Sequence, residues 1–123
     1  MDIEELGNAA IGAAIEVHRT LGPGLLESAY QSCLGIELAH REIPFKREVP
    51  IPFEYRGQQV DVAYRIDFLV GGALILELKS VERLDAIHIA QVLTYLRLTR
   101  HKLALLINFN VPVLKQGIKR IIL

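Results

Sequence analysis

The chain has a single cysteine, Cys33, so it can close no internal disulfide, and there is no cysteine pair from which to build a zinc site. A reducing cytoplasm is the setting this suggests. An excess of charge of either sign is also missing: 14 Lys and Arg stand against 14 Asp and Glu. There is therefore no overall basic field to attract a polyanion, and only a local basic rim could meet one. No apolar run approaches the roughly 20 residues of a membrane-crossing helix, so no membrane partner is expected. The opening Met1-Asp2-Ile3-Glu4-Glu5 is acidic and lacks the charged-then-apolar layout of a signal peptide. Low-complexity tracts, repeats and linkers are absent. What is present is 51% hydrophobic residues in a chain of 123, enough to bury a real core. One domain spanning residues 1–123 is the expectation.

Ile3, Leu6, Ala10, Ala13, Ala14 and Val17 recur at helical spacing behind Asp2, a suitable N-cap, and predict a helix over 2–20. Leu21-Gly22-Pro23-Gly24 ends it. A second helix is predicted from Leu25 to Arg41, with Leu26, Tyr30, Cys33, Leu34 and Leu38 on or near its core stripe. A strand follows over Arg47–Tyr55, confined to an edge by Pro50 and Pro52, then a turn at Arg56-Gly57. The chain resumes near Val60 and runs through Tyr64 into a hairpin, giving a three-stranded meander. A helix begins near Asp85 and carries Ile87, Gln91, Thr94 and Leu98, with Arg97, Arg100, His101 and Lys102 crowding its end. Those cations suit the helix dipole or form a phosphate-facing rim. Leu103–Phe109 reads as a strand buried on both faces, and Ile118–Leu123 as a short final strand.

The hairpin over 64–80 contains the anomaly. Ala63–Val70 and Leu74–Lys79 are apolar β-runs flanking Gly71-Gly72, yet they carry Asp67, Glu77 and Lys79. Alternation puts Ile75, Glu77 and Lys79 on one face of the second strand, and Arg65, Asp67 and Leu69 on one face of the first. A two-residue turn pairing Val70 with Ala73 sets Asp67 opposite Leu76. A three-residue loop pairing Val70 with Leu74, or one bulged residue, sets Asp67 opposite Glu77. Opposed carboxylates repel, and a divalent cation would offset the repulsion. The plainer reading is a set of charges on a solvated face, with Lys79 paired to Glu77.

An Asp on one strand followed by Glu-x-Lys on the next resembles the core of the PD-(D/E)XK nuclease superfamily. Three further elements in order strengthen the resemblance. Gly24-x-x-Glu27-x-x-Tyr30 is similar to the signature of that superfamily's GxxExxY family. Ile66-Asp67-Phe68 surrounds the acid, and Gln91-Val-Leu-Thr-Tyr95 is similar to the Gln-x-x-x-Tyr motif of RecB-type nucleases. The Pro of the superfamily's name is absent, since Arg65-Ile66 precedes Asp67.

The resemblance implies an α/β fold, a restriction-endonuclease-like αβββαβ core with a mixed sheet and an extra N-terminal helix. It also implies a metal-dependent nuclease hydrolysing phosphodiester bonds, DNA in preference to RNA. Asp67, Glu77 and the backbone carbonyl of Leu78 would hold Mg²⁺ or Mn²⁺, with Glu27 as a further or water-mediated ligand. Lys79 would orient or deprotonate the attacking water, and Gln91 would position the water, Lys79 or a phosphate. Taken alone, Glu27 is an ordinary first-turn acid, Gln91 an ordinary helix residue and Tyr95 a core residue. His18 is a packing or capping residue or, by analogy with some RecB-type enzymes, a metal ligand. His40, His88 and His101 have no partner spacing for a metal set. A homodimer is an option for gripping a duplex. The competing expectation is a non-catalytic module that keeps the fold and binds nucleic acid or protein.

Overall fold

Asp2 starts the first helix, α1 (Ile3–Leu21), through a reciprocal cap. The Glu5 backbone N–H donates to the Asp2 carboxylate at 2.9 Å and the Asp2 N–H donates to Glu5 Oε1 at 3.2 Å. The computed structural model describes all residues, 1–123. The second helix, α2, spans Glu27–His40, two residues shorter at its start than the sequence predicts. Leu26 sits in extended backbone as the N-cap, outside the helical row, so it is exposed while Tyr30, Leu34 and Leu38 form the buried stripe.

The strands are β1 (Phe45–Ile51), β2 (Glu54–Tyr55), β3 (Gln58–Gln59), β4 (Tyr64–Val70), β5 (Leu74–Lys79), β6 (Leu103–Asn108) and β7 (Ile118–Ile122). The third helix, α3 (Ala86–Thr99), crosses between β5 and β6. The main sheet has the order β1-β4-β5-β6-β7 and is mixed: β5 and β6 are parallel, the other neighbours antiparallel. An α3 crossover is what lets β6 run parallel to β5. β6 is buried at every position, as its unbroken apolar run demands.

The predicted strand over Arg47–Tyr55 is in fact two. Pro52, without an N–H, ends the edge strand β1, and β2 pairs with β3 in a small separate hairpin. Arg56 and Gly57 turn that hairpin with φ of 50° and 77°. Residues 60–63 carry no strand, so β4 begins only at Tyr64.

Two apolar layers cover the sheet. α1 and α2 pack on Phe68, Val70, Leu74, Leu76, Leu78, Leu105 and Ile107. α3 packs its Val92, Tyr95 and Leu96 on Ile51, Ile66, Ile75, Ala104 and Leu106. This is a restriction-endonuclease-like α/β arrangement, three helices around a mixed five-stranded sheet. No helix is long and apolar enough to cross a membrane.

Candidate active site

Gly71 and Gly72 set the site's register. Their φ angles are 58° and 70°, the Ala73 N–H returns to the Val70 carbonyl at 3.1 Å, and Val70 pairs with Leu74. The loop therefore holds three residues, with Ala73 as the extra one. Leu76 lies opposite Phe68, and continuing the ladder by one step brings Asp67 opposite Glu77.

Regular pairing stops there and the carboxylates replace it. The Asp67 N–H donates to Glu77 Oε1 at 2.9 Å, and the Leu78 N–H donates to Asp67 Oδ2 at 2.8 Å. On the other side of β4 the ladder to β1 skips the Glu48–Asp67 step, where Glu48 takes a φ of 50°. Strand alternation breaks at the same step. Ile66 packs under α3 whereas Phe68, two residues on, packs under α1 and α2. The alternation expected from the sequence, with Arg65, Asp67 and Leu69 on one face, does not hold through Asp67. The change of face places Asp67 between the two layers, within reach of helices on both.

From α2, Gln31 Nε2 donates to Asp67 Oδ1 at 3.3 Å. From α3, Gln91 Oε1 accepts from Lys79 Nζ at 3.4 Å. Glu27 lies one turn before Gln31, exposed, with no hydrogen bond or ion pair, and acts on the pair through its charge alone. Neither Gln31 nor Glu48 stood out as a site residue in the sequence. The four-residue spacing from Glu27 could have drawn attention to Gln31. Glu48 carries no sequence signal, because its proximity depends on which residue of an irregular edge strand comes opposite Asp67.

The motif Gly24-x-x-Glu27-x-x-Tyr30 acts as a clamp. Gly24 has a φ of 97°, and the buried Tyr30 hydroxyl donates to the Gly22 carbonyl at 2.6 Å and accepts from the Leu25 N–H at 3.2 Å. Tyr30 also stacks on Phe109 at 4.5 Å between ring centroids. Ser80 Oγ donates to the Leu25 carbonyl at 2.6 Å, joining the start of α2 to the end of β5. On the far side of Lys79, the buried Asn108 side chain accepts from the Val81 N–H and donates to the Val81 carbonyl. The Lys79 strand end is thus tied on both flanks.

His18 is buried and its Nε2 lies 2.8 Å from the Val111 carbonyl, a packing position tilted against Phe109. No group of three His, Cys, Asp or Glu side chains stands assembled as a metal cage anywhere in the chain. Asp67 and Glu77 are a pair.

Burial, and then the facing Asp67 carboxylate, pushes the Glu77 carboxyl up to about 8. Asp67 is pushed up to about 6, first by burial and then by the charges of Glu27 and Glu48, against the opposing pull of the Leu78 N–H. The phenol of Tyr95 is pushed up to about 12, chiefly by burial and further by Glu77 and Asp67.

Both carboxyls therefore bind protons more tightly in the folded chain than in the unfolded one. Their contribution to stability is complete below the ordinary carboxylate range and is lost as the pH rises through about 6 and about 8. Thermal melts in EDTA should show the protein losing several degrees of Tm between roughly pH 5 and pH 8, a slope that Asp67→Asn flattens. A Tm that rises steadily over that interval would contradict the repelling pair.

The family model of the PD-(D/E)XK nuclease superfamily matches residues 4–121, spanning α1 through β7. The chain belongs to this superfamily. No curated protein and no solved structure gives a significant match. The superfamily is one of nucleases, and membership fits the fold, with Asp67 on β4, Glu77 and Lys79 on β5, and α3 crossing to a parallel β6. The PD-(D/E)XK name finds its Asp, Glu and Lys here without its Pro, since Ile66 fills a core position under α3.

Proposed function

We propose that the protein is a divalent-metal-dependent nuclease of the GxxExxY branch, cutting phosphodiester bonds of DNA in preference to RNA. The observation that carries this reading is the opposition of Asp67 and Glu77 at a break in the sheet, with Lys79 held beside them by Gln91. Gly24, Glu27 and Tyr30 support the branch assignment.

The donor set fits Mg²⁺ or Mn²⁺. The buried Glu77 and half-buried Asp67 carboxylates are opposed with no cation bonded to either, and each still has oxygen lone pairs beyond those facing the backbone N–H groups. Together with the Leu78 carbonyl they make a partial shell of hard oxygens, which suits an ion that keeps several waters. Glu27, exposed at the start of α2, would join through water. Bound there, the ion supplies Lewis acidity to the phosphate and acidity to a coordinated water.

The protein's own groups do the rest. Asp67 and Glu77 must lose the protons that their raised pKa values hold for the ion to be taken up, so binding should release protons and tighten from pH 6 to 8. Lys79, as an ammonium, orients the attacking water and balances the charge that builds on the phosphate. Gln91 holds the Lys79 ammonium in place, and Gln31 does the same for Asp67.

A panel of labelled single strands, duplexes, junctions and RNAs, incubated with Mg²⁺ or Mn²⁺ and with an EDTA control, tests the reading. Metal-dependent cleavage of at least one DNA is expected. A protein that binds metal yet cuts nothing in the panel would favour the non-catalytic binding module instead.

A further inference from the structure

Beside Gln91 the α3 face of the sheet opens into a groove of about 200 Å³ lined by Phe53, Tyr64, Gln91, Thr94, Tyr95 and Leu98. We propose that this groove is a subsite for one unpaired nucleobase, adjacent to the phosphate held at Asp67, Glu77 and Lys79. The proposal rests on the nuclease reading and names the form of substrate that reading leaves open.

Three rings form the wall. Phe53 and Tyr64 are 5.9 Å apart between centroids and tilted by 46°, and Tyr64 and Tyr95 are 6.2 Å apart and tilted by 54°. Tyr30 and Phe109, by contrast, lie 15° from coplanar at 4.5 Å and cover each other's faces inside the core. Tyr64 is 38% exposed and Phe53 half-buried, so these two rings present surface at the groove, with Tyr95 buried behind them. Aromatic faces open to solvent beside charged groups are what a base stacks on.

The occupant follows from what the groove adjoins. Gln91 is both a wall of the groove and the partner of the Lys79 ammonium, so whatever fills the groove is continuous with whatever Lys79 holds. One turn further along the same helical wall, the Arg97 guanidinium donates to Thr94 Oγ1 at 3.1 Å and puts a cation next to the groove, where the next phosphate of a strand would pass. A ring-lined slot whose α3 wall meets Lys79 at Gln91 and Arg97 at Thr94 matches a nucleotide strand better than an apolar peptide, which has no use for either charge.

A base inside a duplex presents only its edge, so it must be unpaired or flipped to reach the slot. Single strands and frayed or mismatched ends are therefore the expected substrates.

The test uses a single-stranded oligonucleotide carrying 2-aminopurine, read by anisotropy for binding and by quenching for stacking, in EDTA and again with Ca²⁺. The single strand should bind more tightly than its duplex and its fluorescence should be quenched. Tyr64→Leu and Phe53→Leu, which keep apolar bulk but remove the ring, should weaken binding roughly ten-fold and abolish the quenching. Tyr55→Leu, which alters an exposed ring on the β2-β3 hairpin away from the groove, should do neither, and melts of all three confirm folding. No binding, equal binding of duplex, or wild-type quenching in both groove variants overturns the subsite. Quenched binding without cleavage under Mg²⁺ or Mn²⁺ supports the subsite and sinks the nuclease reading alone. Cleavage unaffected by loss of either ring does the reverse.

Discussion

Lys79→Ala should lower turnover by about two to three orders of magnitude while leaving Mn²⁺ binding close to wild type. The lysine carries no metal-binding oxygen, and its ammonium is held by Gln91 beside the carboxylates rather than between them. Asp67→Asn should behave differently. It removes one charge of the opposed pair but keeps an oxygen able to accept from the Leu78 N–H. Ion binding and cleavage should both be lost, yet the metal-free protein at pH 8 should gain about 1 kcal/mol, a Tm rise of roughly 4 °C. Calorimetric Mn²⁺ titration, melts in EDTA and cleavage assays on the same three proteins separate the two roles. Wild-type cleavage by Asp67→Asn, or cleavage that persists in EDTA, would remove the metal from the mechanism.

A loss of stability is expected at a glycine outside the Asp67–Glu77 pair. A Cβ on Gly117 would lie 2.2 Å from the Asn108 carbonyl oxygen and 3.0 Å from Val111 Cγ2. Gly117 closes the 3₁₀ turn Leu114–Gly117 that leads into β7, so the obstacle is backbone and cannot swing aside. Gly117→Ala should cost about 3 kcal/mol or more and lower Tm by roughly 10 °C. Because Asn108 also holds the Val81 backbone two residues beyond Lys79, activity should fall in whatever fraction remains folded. Gly7→Ala is the contrast: the added Cβ meets nothing within 4 Å inside α1, and the substitution should stabilise by about 0.5–1 kcal/mol. Melts of both variants check the pair, and equal effects would show that close approach at Asn108 does not matter.

Most of the elements, and the placing of acids among apolar strands, are legible in local pattern. Capping at Asp2, the breaks at Gly22 to Gly24, the apolar run of β6 and the acids in an apolar hairpin are all encoded within a few residues of where they act. Local pattern therefore announces them. Gln91 stood out only through the resemblance of Gln91-Val-Leu-Thr-Tyr95 to a family motif, since by local pattern it is an ordinary helix residue. Tertiary structure decided the rest. The choice between two and three residues in the hairpin loop is a contest of nearly equal local geometries. Packing against α1 resolves it: a Cβ on Gly71 would meet the buried Leu6 side chain, and Val70 and Leu74 are buried together in the same layer. The change of face at Asp67 could not be read from alternation, because it arises where two strands and two helix layers compete for one residue. So Gln31, rather than Glu27, makes the α2 contact with Asp67, and Glu48 arrives beside it from an edge strand. Contacts between elements distant in sequence depend on register and layer spacing, which the hydrophobic effect fixes only when the whole core closes.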